Sequence, residues 1–208
     1  MELIVNEFLD DYFFQKEEMK SKWVESNDSR QLKGIDVYIT SDKHSLNEAK
    51  VDIKSAVKSS TYYLPTFALE LSSLDKTGRE RIGWFINDNL ETEYYLLVYP
   101  RSQKFYTEME LKTDIDYADY YLVRKDDLRN YFLSKGYDCA RLKKISDEMR
   151  EEKKESGVVK LTRESDCDDF KFVLSGHLKE QPVNVVVKRR VYNRLAVLQG
   201  RVEKDGIH

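Results

Sequence analysis

Three runs between residues 34 and 72 alternate apolar with polar side chains, and this period of two constrains the chain more than any other feature. Over 34–40 the apolar set is Ile35, Val37 and Ile39. Over 48–56 it is Ala49, Val51 and Ile53, and over 66–72 it is Phe67, Leu69 and Leu71. Side chains alternate across a strand, so each run predicts a β-strand with one face buried and one polar. A helix is predicted before them, over 3–24, because Val5, Phe8, Leu9 and Tyr12 recur at helical spacing. The run EYYLLVY at 93–99 reads as a strand buried on both faces, and 117–124 as a fifth strand. Helices are predicted over 126–135 and 138–155, with Gly136 and Gly157 as their stops. PVNVVV reads as a short strand. Residues 187–199 have a helical period, with Val191, Leu195 and Leu198 on one side. A helix, then strands, then mixed elements point to an α/β (α+β) fold, a central mixed sheet flanked by helices.

A length of 208 residues suits one elaborated domain. We read a core over about 1–125 and a mixed C-terminal elaboration over about 126–208, with no Pro/Gly/Ser-rich linker between them. Hydrophobic residues at 40% and aromatics at 12% exclude a disordered chain despite 35% charged residues. A net charge of −3 argues against a protein coated in positive charge but leaves local basic patches free to act. Cys139 and Cys167 form no CxxC, which argues against a structural zinc site or a disulfide framework. The acids Glu2 and Glu7 interrupt the N-terminal apolar residues, and no run reaches 18 apolar residues. A cytoplasmic protein without membrane contact is expected, so the sequon at Asn27 carries no weight. No GxSxG, P-loop or GxGxxG is present.

If the first two alternating runs form a hairpin with its loop near 42–46, Asp36 faces position 51 or 52. Asp36 then lies beside Asp52, with Lys54 two residues further along the same face. A third strand alongside would add Glu70. Two or three carboxylates with a lysine make a hard-oxygen site suited to Mg²⁺ or Mn²⁺. Such a cation polarises a phosphoryl oxygen and acidifies a bound water, and the lysine can orient that water. The bare pattern acid-x-Lys occurs seven times in the chain, so it is weak. Asp52–Lys54 stands out because it lies inside an apolar alternation that follows Gly34-Ile35-Asp36, and Glu48–Lys50 is its rival. Residues alone favour the plainer alternative, a sheet with a solvated charged face.

The succession of a helix, GID, VDIKSA and TFALELS resembles the PD-(D/E)XK nuclease superfamily, the restriction-endonuclease-like fold, over roughly residues 5–100. The segments FLDDYFF, QLKGIDVYIT and GWFINDNLETEYYLLVY resemble more narrowly a bacterial and phage-type group within it. The resemblance implies a metal-dependent nuclease acting on DNA. Asp36 would match the first acid, and Asp52 and Lys54 the (D/E)XK element. Asp10, chosen from Glu7, Asp10 and Asp11, would be the first-helix acid, with Gln31 and Glu70 in support. Ile35 departs from the pattern, where proline precedes the acid.

Residues 188–201 contain Lys188, Arg189, Arg190, Arg194 and Arg201 and no acid. They make either a face for a phosphate backbone or a solvated helix surface. A module that binds nucleic acid through them without catalysis, on the same fold, is the second reading. Homodimerisation stays open. Tyr94, Tyr95, Tyr99, Tyr117, Tyr120 and Tyr121 read as core rather than as base-stacking platforms. His44 and His177 read as surface residues, and Asp166, Asp168 and Asp169 as an exposed turn.

Overall fold

The computed structural model describes residues 2–25, 28–204 and 206–207, so Asn27 of the sequon lies outside the described residues. The amphipathic start forms α1 (Glu2–Phe8), which widens into a π-helical turn over Leu9–Phe14. Widening brings Phe13 and Phe14 into line with Phe8 and Leu9, and all four are buried. The helix predicted over 3–24 therefore stops early. Glu18 takes a left-handed φ of 56°, which a right-handed helix cannot continue through. The chain resumes as the strand β1 (Lys20–Trp23).

The remaining elements, in chain order, are β2 (Val37–Ser41), β3 (Leu46–Ser55), β4 (Thr66–Leu74), β5 (Glu80–Ile82), β6 (Tyr94–Arg101) and β7 (Tyr117–Arg124). These are followed by α2 (Lys125–Ser134), α3 (Cys139–Ser156), β8 (Lys160–Glu164), β9 (Phe170–Ser175) and β10 (Val183–Lys188). The last elements are α4 (Arg189–Leu195), β11 (Ala196–Glu203) and β12 (Gly206–Ile207). The fold is mixed α+β. Its chain forms two compact units: 1–64 with 90–126 and 192–208, and 65–89 with 127–191. One crossing between them falls near the boundary read at residue 125. Among the described residues no helix is long and apolar enough to cross a membrane.

The first unit is built on a seven-stranded sheet in the order β1-β2-β3-β6-β7-β11-β12. Neighbours are antiparallel except β3 and β6, which run parallel. A parallel pair needs a long crossover, and residues 56–93 supply it. Val37, Ile39, Ala49, Val51, Leu96 and Leu122 point to one face of this sheet, where Val5, Phe8, Leu9 and Phe13 pack on them. The helix predicted over 187–199 covers only α4. From Ala196 the chain pairs with β7 as β11, because the free edge of β7 offers backbone partners to seven of its eight residues.

The second unit is a five-stranded sheet in the order β5-β4-β10-β9-β8, antiparallel throughout. Phe85, Phe132, Phe170 and Phe172 form its aromatic core, with Phe132 and Phe170 centroids 4.8 Å apart. A buried polar set joins β4 to α3: Arg150 Nη2 donates to Ser72 Oγ at 2.7 Å, and Ser72 and Ser146 hydroxyls lie 2.7 Å apart. Asp138 caps α3 by accepting from the Arg141 N–H. Gly157, the stop read from sequence, closes it in a left-handed conformation.

The β2–β3 turn is anchored by Glu17, which is 5% exposed. Its carboxylate accepts from Tyr120 Oη at 2.9 Å and Lys43 Nζ at 3.1 Å, and its Oε2 lies 2.9 Å from His44 Nε2. His44, expected at the surface, is thereby drawn inward. Burial pushes the Glu17 carboxyl up, but the bonds from Lys43, Tyr120 and His44 outweigh it and hold the group below its usual range. Its contribution to stability is therefore present above pH ~4.5 and fades as pH falls through the lowered value. We expect Glu17→Ala to lose about 3 kcal/mol or more at neutral pH, since it strands several buried partners. Urea denaturation down to about pH 3 should bring wild type and Glu17→Gln together; a constant gap would contradict this.

Candidate functional site

The site begins at Gly34. A short 3₁₀ turn, Gln31–Lys33, closes on it with φ of 75°. A Cβ there would come 2.7 Å from Thr92 Oγ1, which donates to the Gly34 carbonyl at 2.6 Å. Only glycine tolerates both the left-handed backbone and this approach. The next residues, Ile35 and Asp36, are thereby delivered to the start of β2.

The hairpin register then sets the chemistry. Val37 pairs with Val51 and Ile39 with Ala49, which puts Asp36 opposite Asp52, as the loop position predicts. Asp36 N–H donates to the Val51 carbonyl at 3.0 Å. The Asp36 side chain continues the ladder: Ile53 N–H donates to its Oδ2 at 2.8 Å. Asp36 is thus held by the residue that separates Asp52 from Lys54. Lys54 Nζ lies 2.6 Å from Asp52 Oδ1, and its side chain is 29% exposed.

Asp52 is only 2% exposed, so this part of the polar face is not solvated, against the plainer expectation. Parallel β6 places Tyr95 beside Asp52 and Leu97 beside Lys54, and both are buried. Burial pushes the Asp52 carboxyl up to about 7; Lys54 pulls it down, and neighbouring Asp36 raises it again. A buried carboxyl that keeps its proton against a second carboxylate is one whose proton a divalent cation can replace. Among the described residues no group of three or more His, Cys, Asp or Glu converges to hold a metal. Asp36 and Asp52 still suit Mg²⁺, which keeps several waters and takes one or two carboxylates together with substrate phosphate.

The strand of Glu70 is not a sheet neighbour of β3: β4 belongs to the five-stranded sheet, where Glu70 pairs with Asn184. The neighbour of β3 is β6 instead. Asp10 lies on the helix that packs over the opposite, apolar face of the sheet. Its Oδ1 accepts from Ser21 Oγ at 2.9 Å and Trp23 Nε1 at 3.1 Å, tying the π-turn to β1. Asp10 and Gln31 share the lining of a cavity of about 450 Å³ with Glu7 and Trp23. The rival pair does not form, since Lys50 Nζ reaches Glu91 at 3.0 Å.

The basic segment is not the open stripe its sequence suggests. Lys188 Nζ lies 2.6 Å from Asp168, Arg190 Nε lies 2.6 Å from Asp169, and Arg189 is buried. Arg194 is exposed and belongs to the first unit. The acids that neutralise Lys188 and Arg190 come from the turn after β8, which sequence order hides. Asp169 is accordingly buried rather than exposed, and also accepts from Tyr131 Oη at 2.6 Å. Five of the six tyrosines read as core are buried, and Tyr117 is partly so. Sequence reasoning missed Thr92, the support of Gly34, because nothing local announces that β6 will lie beside β3. It also missed β1, although KSKW alternates.

No protein-family model, curated protein or solved structure matches this chain.

The state of Asp52 has a measurable consequence. The folded protein keeps a proton that an unfolded aspartate releases near pH 4, so stability falls as pH rises from about 4 to about 7 and then levels. Asp52→Asn, which cannot ionise, should flatten that slope and exceed wild type in urea midpoint at pH 8. Parallel pH profiles of the two proteins would contradict the assignment.

Proposed function

We propose that this chain is a metal-dependent phosphodiesterase of the nuclease type acting on DNA, with Asp36, Asp52 and Lys54 in the roles of the PD-(D/E)XK pattern. The supporting observation is the register of one hairpin. It faces Asp36 against Asp52 and leaves Lys54 Nζ 2.6 Å from the Asp52 carboxylate, in a partly closed setting.

Asp36 and Asp52 would hold Mg²⁺ or Mn²⁺, which when bound supplies a polarised phosphoryl oxygen and a more acidic water. The protein's own groups do the rest. Ile53 N–H keeps the Asp36 carboxylate aimed at Asp52. Burial of Asp52 lowers the local dielectric, so each charge near it acts more strongly on a phosphate than it would in water. Lys54, partly open to solvent, swings from Asp52 to a phosphate oxygen or to the attacking water and offsets the negative charge that builds up there. Asp10, on the helix over the other face of the sheet, has no part in this scheme.

Linear duplex, single-stranded and branched DNA incubated with Mg²⁺ or Mn²⁺ tests the reading. Wild type should give products that chelator abolishes. Lys54→Ala should slow cleavage about 10²–10³-fold. Asp52→Asn keeps the shape of the buried side chain and should leave no metal-supported cleavage. Equal cleavage by folded wild type and Asp52→Asn would remove the assignment.

A further inference from the structure

The same face of the sheet that carries Asp36 and Asp52 continues outward over β2 and β1, and its side chains there are of another kind. Lys22 pairs with Tyr38, and Tyr38 with Lys50, so one row across three strands reads Lys-Tyr-Lys. The next row outward begins with Lys20 opposite Thr40. Neighbouring strands are spaced by about 4.8 Å, which puts the two lysine stems about 10 Å apart with the tyrosine between them. Two residues along β2 or β3 is about 6.8 Å, so this row stands one side-chain step from the Asp36–Asp52 row. Lys20 and Lys22 are exposed and form no ion pair among the described residues. Tyr38 is partly exposed, and the Arg30 guanidinium lies 6.0 Å from its ring centroid. The acids of the patch are mostly engaged: Glu91 by Lys33 and Lys50, and Asp28 by Arg30. Glu93 accepts from the Lys50 N–H, and Glu48 stays exposed.

We propose that this face of β1, β2 and β3 is a track for single-stranded nucleic acid, with Lys20 and Lys22 on phosphates and Tyr38 stacked on a base. The proposal rests on the nuclease reading for why a strand would lead to Asp36 and Asp52. Lysines beside an aromatic ring suit an unpaired strand, whose bases offer their faces; a duplex keeps them stacked inside. The track is distinct from the segment around Lys188 and Arg190, whose charges are spent on Asp168 and Asp169.

Anisotropy of a labelled oligothymidylate, and separately of a duplex of the same length, tests this in EDTA, where no cleavage interferes. The full chain should prefer the single strand. Combined Lys20→Ala and Lys22→Ala should lower the slope of log affinity against log salt by about 1.4. Tyr38→Ala should weaken binding about 10-fold with the salt slope unchanged, and Tyr38→Phe should restore it. Thermal unfolding confirms that the variants fold, which is expected for surface positions. Unchanged binding by both variants, no binding by wild type, or preference for duplex would each overturn the track. Asp52→Asn separates the two ideas. If it binds like wild type and no protein cleaves, the nuclease reading fails and the track stands; if it abolishes cleavage while the lysine and tyrosine variants bind normally, the reverse holds.

Discussion

The register of the β2–β3 hairpin is the constraint on which the candidate site depends. Side chains on a strand have a period of two, so a slip of β2 by one residue would turn Val37 and Ile39 outward and Asp36 into the apolar core. Three features of the chain oppose such a slip. Gly34 enters the strand through a left-handed backbone conformation, with Thr92 too close to admit a Cβ. The Asp36 carboxylate takes the Ile53 N–H, which a shifted pairing would leave elsewhere. Glu17 grips the turn through Lys43 and His44, and reaches across to Tyr120. The last two are polar contacts, and all three supplement a hydrophobic face that already prefers one register.

A second theme is that the polar groups of this protein are matched largely over long sequence distances. Ser72, Ser146 and Arg150 meet inside the second unit, and a guanidinium so buried would be destabilising without the hydroxyl that accepts from it. Arg201, from β11, lies on Asp119 of the adjacent β7 at 2.8 Å. Lys188 and Arg190 find Asp168 and Asp169 in the same way. Charge in this chain is abundant, and much of it is used in pairs. The lysines of β1 stand apart for that reason: Lys20 and Lys22 have no such partner among the described residues.

The strands β2, β3, β4, β6 and β7 were legible because alternation or continuous apolarity marks them locally. The end of the first helix was not. Phe13 and Phe14 continue an apolar signal that a regular helix would carry on, and the π-turn that accommodates them is set by packing against the sheet. The stretch 187–199 failed for a related reason. Its helical period is real over Arg189–Leu195, but β7 offers an edge that the following residues pair with. The strands β8 and β9 flank a charged turn whose acids masked them. At the site, Asp36, Asp52 and Lys54 followed from one local hairpin. The strand of Glu70, expected beside β3, instead enters a different sheet, because alternation says which face a residue takes but not which strand lies next to it.

By itself the sequence determined which residues could share a face: the period of two put Asp36, Asp52 and Lys54 on the polar side of adjacent strands, and the glycine before them made the turn into β2 possible. Tertiary structure decided what surrounds them. The parallel neighbour β6, reached only through a long crossover, sets Tyr95 beside the buried Asp52, and Thr92, just before it, holds Gly34. Desolvation depends on atoms brought from far along the chain, so the difference between an ordinary surface aspartate and one that keeps its proton near neutrality is absent from any local pattern.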